Sequence, residues 1–237
     1  MARKRLSRKE LVQKDEITTT LETTTAFLLE HKRLMFMLVG AIVLCLLLLV
    51  GWNVYAANRE ATSQDALSKA IATFNDVDQF DSDEKRFETA LAEAQAVREQ
   101  YPSLPVAKIA EYYIALNHEA LGNPTASMRI LQSIVDEGEG TTQQVARYAL
   151  AESYKTRGDL ERAIEILKEL LEAGGYATGA VLFELGSLHE ALSETEEASN
   201  YFQLLVGDYP DSPFLQDAEG ALERLKANES ALEEAGP

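Results

Sequence analysis

The sequence predicts an all-α protein: one N-terminal transmembrane helix, then a solenoid of repeated helix pairs closed by a C-terminal capping helix. Three observations carry this. Residues 34–50, LMFMLVGAIVLCLLLLV, run without a charge or a proline. From Asn58 onwards the chain is Ala-rich and lacks the alternation that marks strands, and its prolines fall near proposed helix boundaries or the chain end. That region also repeats itself, with Ser127, Ala163 and Ala198 in corresponding places 36 and 35 residues apart.

Residues 1–33 form a basic juxtamembrane arm with eight Lys/Arg against five Asp/Glu. Leu11, Ile17, Leu21 and Leu28 recur at helical spacing, whereas the threonine clusters 18–20 and 23–25 weaken helix propensity. A helix lying on the inner leaflet, a docking element for a membrane partner and a plain topogenic tail all fit.

The apolar run, extended through Ala57, is a membrane span. Seventeen residues at 1.5 Å each cover roughly 26 Å, and the extension reaches the roughly 30 Å of a hydrocarbon core. Twelve of the seventeen are Leu, Ile, Val or Phe, together favouring insertion by roughly 4–7 kcal/mol. A cleaved leader has a shorter apolar core and a shorter head. Cys45 stands in mid-span after Val43 and Leu44, which is no lipoprotein signal. Lys32 and Arg33 abut the run, so the positive-inside rule places the N-terminus in the cytoplasm. Trp52 and Tyr55 then mark the outer interface.

Charge narrows the function classes. Residues 34–237 hold fourteen basic and thirty-four acidic residues, a net of −20. An acidic surface repels phosphate, which argues against nucleic acid. The one cysteine lies in the span, so the outer part has no disulfide, in keeping with an oxidising compartment such as a periplasm.

Aligned on Ser127, Ala163 and Ala198, the units carry Leu131, Leu167 and Phe202 four residues on. Upstream stand Ile114-Ala115, Leu150-Ala151 and Leu185-Gly186, then His118, Tyr154 and His189, with Gly122, Gly158 and Ser193 in the turns. These residues resemble the tetratricopeptide repeat, a 34-residue antiparallel helix pair. The middle unit matches through Leu150, Ala151, Tyr154, Gly158, Ala163 and Leu167, the third through Leu182, Leu185, Gly186, Ala198, Phe202 and Pro210. A degenerate unit ending in FETALAEAQAVREQYP precedes them. The expected units span about 60–102, 105–140, 141–175 and 176–211. A capping helix over 212–228 starts with Ser212 as N-cap and Pro213 at the first position, and an acidic tail occupies 229–237. Small residues at Ala151, Gly186, Ala163 and Ala198 allow close helix approach, and larger ones fill the space between units.

Little in the chain suggests chemistry. His31, His118 and His189 lack metal-ligand spacing, Gly174-Gly175 and Gly138-Glu139-Gly140 follow no strand, and the acidic runs at 81–84 and 194–197 suit helix starts. Neither a cofactor nor an enzyme activity is expected. Binding remains. In tetratricopeptide stacks the first helices line a concave groove, and one position there holds Tyr112, Tyr148 and Phe183. A second holds Leu116, Glu152 and Ser187, a third Glu119, Lys155 and Glu190. An apolar stripe flanked by mixed charge suits a peptide segment. The aromatics serve equally well as packing between units, and both readings stand.

The whole layout, with a basic arm containing DEITTTLE, a single span and an outer repeat domain, is similar to the YfgM-like ancillary subunits of the SecYEG translocon, whose repeat domain is related to that of CpoB. DYPDSPFLQDAEGALERL also looks like repeat lipoproteins of outer-membrane assembly such as BamD. The resemblance implies a bacterial inner-membrane protein whose periplasmic domain contacts translocon subunits, a chaperone or emerging polypeptides. The alternative is an envelope coordinator joining cell-division, wall-synthesis or outer-membrane assembly machines.

Overall fold

The computed structural model describes residues 32–175 and 177–235. The arm before Lys32, with His31, lies outside the described residues, as do Tyr176 and the last two residues. Among the described residues the elements are helices: α1 (Lys32–Asn75), α2 (Asp83–Gln100), α3 (Val106–Ala120), α4 (Pro124–Glu137), α5 (Gly140–Thr156), α6 (Leu160–Ala173), α7 (Thr178–Ala191), α8 (Thr195–Asp208) and α9 (Leu215–Ala235). Two compact units divide at Ala61/Thr62, inside α1 and a few residues beyond the expected boundary.

The first unit holds the apolar part of α1. Its side chains are exposed apart from the half-buried Met35, Leu48 at 65% and Trp52 at 70% for example. This helix is long and apolar enough to cross a membrane. Between Trp52 and Asn75 there is neither proline nor glycine, and the helix assignment runs through without a break.

In the second unit the end of α1 supplies Leu67, which packs with Val97 of α2 and with Val106 and Ala110 of α3, and Ala70, which packs with Ala94 and Ile114. Phe74 joins Phe87 and Tyr113 at ring separations of 5.4 and 5.8 Å. Successive pairs α3/α4, α5/α6 and α7/α8 follow. Leu131, Leu167 and Phe202 are each at most 1% exposed. Burial of each such side chain favours folding by roughly 1.5–3 kcal/mol. Ala163 and Ala198 are wholly buried at the close helix contacts, with Ser127 at the same place in α4. Leu150, Ala151, Leu182, Leu185 and Gly186 are buried as well, while Tyr154 is half-buried against the core.

Two residues of the repeat pattern shape the path of the chain. Gly158 is exposed, and its φ of 82° gives it a turn role. Gly122 at 73° and Ser193 at 63° hold the same place, the serine in a region that disfavours a Cβ. Pro210 is also exposed, in the loop after α8.

The terminal helix starts later than the Ser-Pro pair suggests. Ser212 Oγ accepts the Phe214 N–H at 3.3 Å, and the Ser212 carbonyl accepts from Leu215 N at 3.1 Å. Those bonds close a turn over 212–215, and the first α-helical bond runs from Ala218 N to Phe214 O. Phe214 therefore occupies the cap position. At the other end α9 continues to Ala235, so residues 229–235 of the expected acidic tail are helical. Ala218, Ala221 and Leu225 seat it on α8.

Candidate functional site

Helices α3 and α5 are neighbours in the stack, and each presents one turn-spaced row on the same side. All nine groove residues expected from the repeat register are half-buried. Residues at i, i+4 and i+7 share a helix face, which is why Tyr112, Leu116 and Glu119 come together on α3 and Tyr148, Glu152 and Lys155 on α5. The structure divides these nine into three settings.

The first is a pocket of about 280 Å³. Helix α3 lines it with Tyr112, Leu116 and Glu119, and α5 with Tyr148, Ala149 and Glu152. Ser127 and Leu131 of α4 also line it. Ser127 is wholly buried, and its Oγ has no hydrogen-bond partner. Glu119 Oε2 is buried and unpartnered in the same way.

The second setting is a charge bridge between consecutive pairs. Lys155 Nζ lies 2.8 Å from Glu152 and 2.7 Å from Glu184 of α7. Burial pulls the Lys155 ammonium downward most strongly, but its bonds to the two carboxylates outweigh that and raise it above 10.5. Lys155 is therefore committed to partners within the chain.

The third setting is closed. Phe183 stacks on Phe214 at 5.1 Å with planes 20° apart, and contacts Phe202 at 5.8 Å. Ser187 Oγ donates to the Phe183 carbonyl at 2.9 Å, and Glu190 faces Arg224 of α9 at 3.5 Å. The aromatic ladder thus has Tyr112 and Tyr148 at the pocket, and its third rung packed against the segment leading into α9. Four participants escaped the groove reading. Ser127 and Leu131 register as packing positions in the sequence, and Glu184 sits one residue off the aligned row. Phe214 follows the Ser-Pro pair in a loop, where no periodicity applies.

A second pocket, of about 380 Å³, lies where the start of α7 meets the 208–214 loop, with Tyr209, Pro210, Pro213 and Phe214 among its walls. His189 is structural: it is buried, stacks on Tyr201 at 5.3 Å and pairs through Nδ1 with Glu194 at 2.5 Å. Among the described residues no group of His, Cys, Asp and Glu could hold a metal ion.

Paired antiparallel helices stacked with small residues at each crossing, and a lined face made by the first helix of each pair, define a helical-repeat interaction module. The chain belongs to the tetratricopeptide repeat-like domain family, whose model matches residues 31–216. Folds of this family are protein-interaction scaffolds and usually carry no catalysis. None of the curated proteins matches the sequence. Solved structures with a similar fold include TPR-like repeats described as those of a kinesin light chain from Podospora anserina, with TM-score 0.55 and 15% identity over 73% of this chain and 89% of that one. A tetratricopeptide repeat protein from Parabacteroides merdae is similar with TM-score 0.54 and 15% identity, over 71% of this chain and 61% of that one. MamA of strain AMB-1 gives 0.51 and 17%, over 77% and 88%. At these identities the likeness concerns the fold.

Proposed function

We propose that this protein is a membrane-anchored scaffold whose repeat unit holds protein partners at the periplasmic face of a bacterial inner membrane. On this reading it works beside the Sec translocon in secretion or envelope-protein biogenesis, as the similarity to YfgM-like subunits suggests. The observation that carries it is the conjunction, in one chain, of an exposed apolar helix and a tetratricopeptide-type lined pocket. Lys32 and Arg33 at the start of that helix, against the acidic composition after it, favour an inward N-terminus. Anchoring raises the effective concentration of the pocket near membrane complexes, so modest intrinsic affinity suffices.

The test is photocrosslinking in cells from Tyr112, Leu116 and Tyr148, each replaced by a benzophenone amino acid, with the adducts identified by mass spectrometry. Phe183 serves as the control, because Phe214 covers it. Adducts with translocon subunits, periplasmic chaperones or nascent secreted chains support the proposal. Adducts confined to division, wall-synthesis or outer-membrane assembly proteins replace it with the envelope-coordinator reading. No adducts from the three pocket positions refute the pocket as a partner site.

A further inference from the structure

We infer that the pocket between α3, α4 and α5 takes a cationic side chain, lysine or arginine, presented by a partner peptide; this rests on the scaffold reading and names what that scaffold selects. The walls come first. Tyr112, Leu116, Leu131 and Tyr148 offer aromatic and aliphatic surface around about 280 Å³, which suits the alkyl stem of a long side chain. Aromatic rings also attract a cation over their faces.

Two polar groups of the lining are unsatisfied. The Glu119 side chain makes no hydrogen bond or ion pair among the described residues, and its Oε2 is buried. The Ser127 hydroxyl, in a wholly buried residue, has no partner either. Buried polar atoms are rarely left this way, because an unmade bond leaves the group's lost hydration uncompensated. Two oxygen acceptors therefore line an apolar pocket without a donor. An ammonium or guanidinium group supplies several donors and the opposite charge.

Two lysines of these helices are engaged by the chain's own carboxylates. Lys155 is held by Glu152 and Glu184, and Lys108 by Glu111 and Glu137. The wider field points the same way: residues 169–223 contain twelve acidic residues and no lysine or arginine. Such a surface draws a basic segment in and repels an acidic one.

The experiment uses the full chain in nanodiscs and fluorescence anisotropy. The probes are fluorescein-labelled peptides Ser-Ala-Leu-Ala-X-Ala-Leu-Ala-Ser, with X as arginine, citrulline, norleucine or glutamate. Citrulline keeps the shape of arginine and removes its charge. At low salt the arginine peptide is expected to bind at least about tenfold more tightly than the citrulline peptide, and added salt to erode the difference. In Glu119→Gln, an isosteric change, the preference should fall below about threefold. Circular dichroism verifies that the variant is folded, and the arginine–citrulline comparison on the unmodified chain stands whether or not it is. Equal binding of arginine and citrulline overturns the inference, as does tightest binding of norleucine or glutamate, or an unchanged preference in a folded Glu119→Gln. Absence of binding by every peptide overturns it too. In that case adducts from Tyr112 and Tyr148 in cells keep the scaffold reading alive, and their absence removes both.

Discussion

Gly186 and Phe202 are a matched pair, and exchanging them for the residues of the other units tests whether the repeats share one backbone template. A Cβ on Gly186 would stand 2.6–2.8 Å from three atoms of the Phe202 ring, well inside van der Waals contact. The ring is wholly buried and confined by Phe183, so it cannot swing away freely. Overpacking of this kind costs roughly 1–3 kcal/mol. Alanine in mid-helix recovers about 1 kcal/mol relative to glycine, which leaves Gly186→Ala destabilised by about 1 kcal/mol. Phe202→Leu loses ring contact and leaves a small cavity, for about 1.5 kcal/mol. The earlier pairs already hold Ala115 with Leu131 and Ala151 with Leu167, all buried. The double variant should therefore lie only about 0.5 kcal/mol below the wild type, because the clash has vanished and the helix has gained alanine. The coupling is then about −2 kcal/mol where independent sites would add within about 0.5. Urea unfolding of the full chain in detergent, followed by circular dichroism, gives the four stabilities. Additive values, or a Gly186→Ala variant more stable than the wild type, would refute the reasoning.

Further outcomes follow from single positions. Ser193→Gly should stabilise the chain by roughly 0.5–1 kcal/mol in the same unfolding assay, because left-handed backbone strain at φ 63° is relieved at some cost in unfolded-state entropy. Lys155→Met should cost about 1 kcal/mol at neutral pH, a discounted value for a partly exposed ion network. Since Lys155 is raised above 10.5 in the fold, its contribution is present below that pH and lost as pH climbs through the folded value. The wild-type advantage over Lys155→Met should shrink there, and an advantage that grows with alkalinity would count against the bridge. Phe214→Ala removes the ring stacked on Phe183. It should lower stability by roughly 3–5 kcal/mol at most, less because the ring is only half-buried. It should also give crosslinks from Phe183 that the unmodified chain does not form.

The fold was legible because a solenoid writes its packing rule several times over. Ala163 and Ala198 with Leu167 and Phe202 announce helix crossings through spacing alone, and these side chains are buried. The apolar run of α1 needed only length and the absence of charge. Other features depend on where the chain travels after leaving a helix. Ser212-Pro213 has the composition of a helix start, yet its hydroxyl closes a turn and Phe214 caps the helix. The same loop carries the ring that covers Phe183, so one rung of an evenly spaced ladder is packed. Gly158 and Pro210 match the repeat pattern but serve the path of the chain, since both are exposed.

The pocket exposes a deeper limit on reading a repeat. Residues that recur from unit to unit do so because each unit must bury the same contact against its neighbour. A partner site needs the opposite, since it forms where the units differ. The second groove position runs Leu116, Glu152, Ser187, and the third runs Glu119, Lys155, Glu190. Lys155 and Glu190 find partners in Glu184 and Arg224, and Ser187 bonds back to its own helix. Among the described residues, only in the first of these units does the aligned row end in a carboxylate left without a partner, and that is also the unit whose crossing residue is a serine rather than an alanine. That Glu119 lies unpaired depends on which cations the neighbouring helices bring within reach, and that Ser127 is an acceptor at the pocket wall depends on the approach of α4. Both are facts of three-dimensional neighbourhood. The alignment marks the positions where specificity resides, and the contacts decide which of them is vacant for a partner.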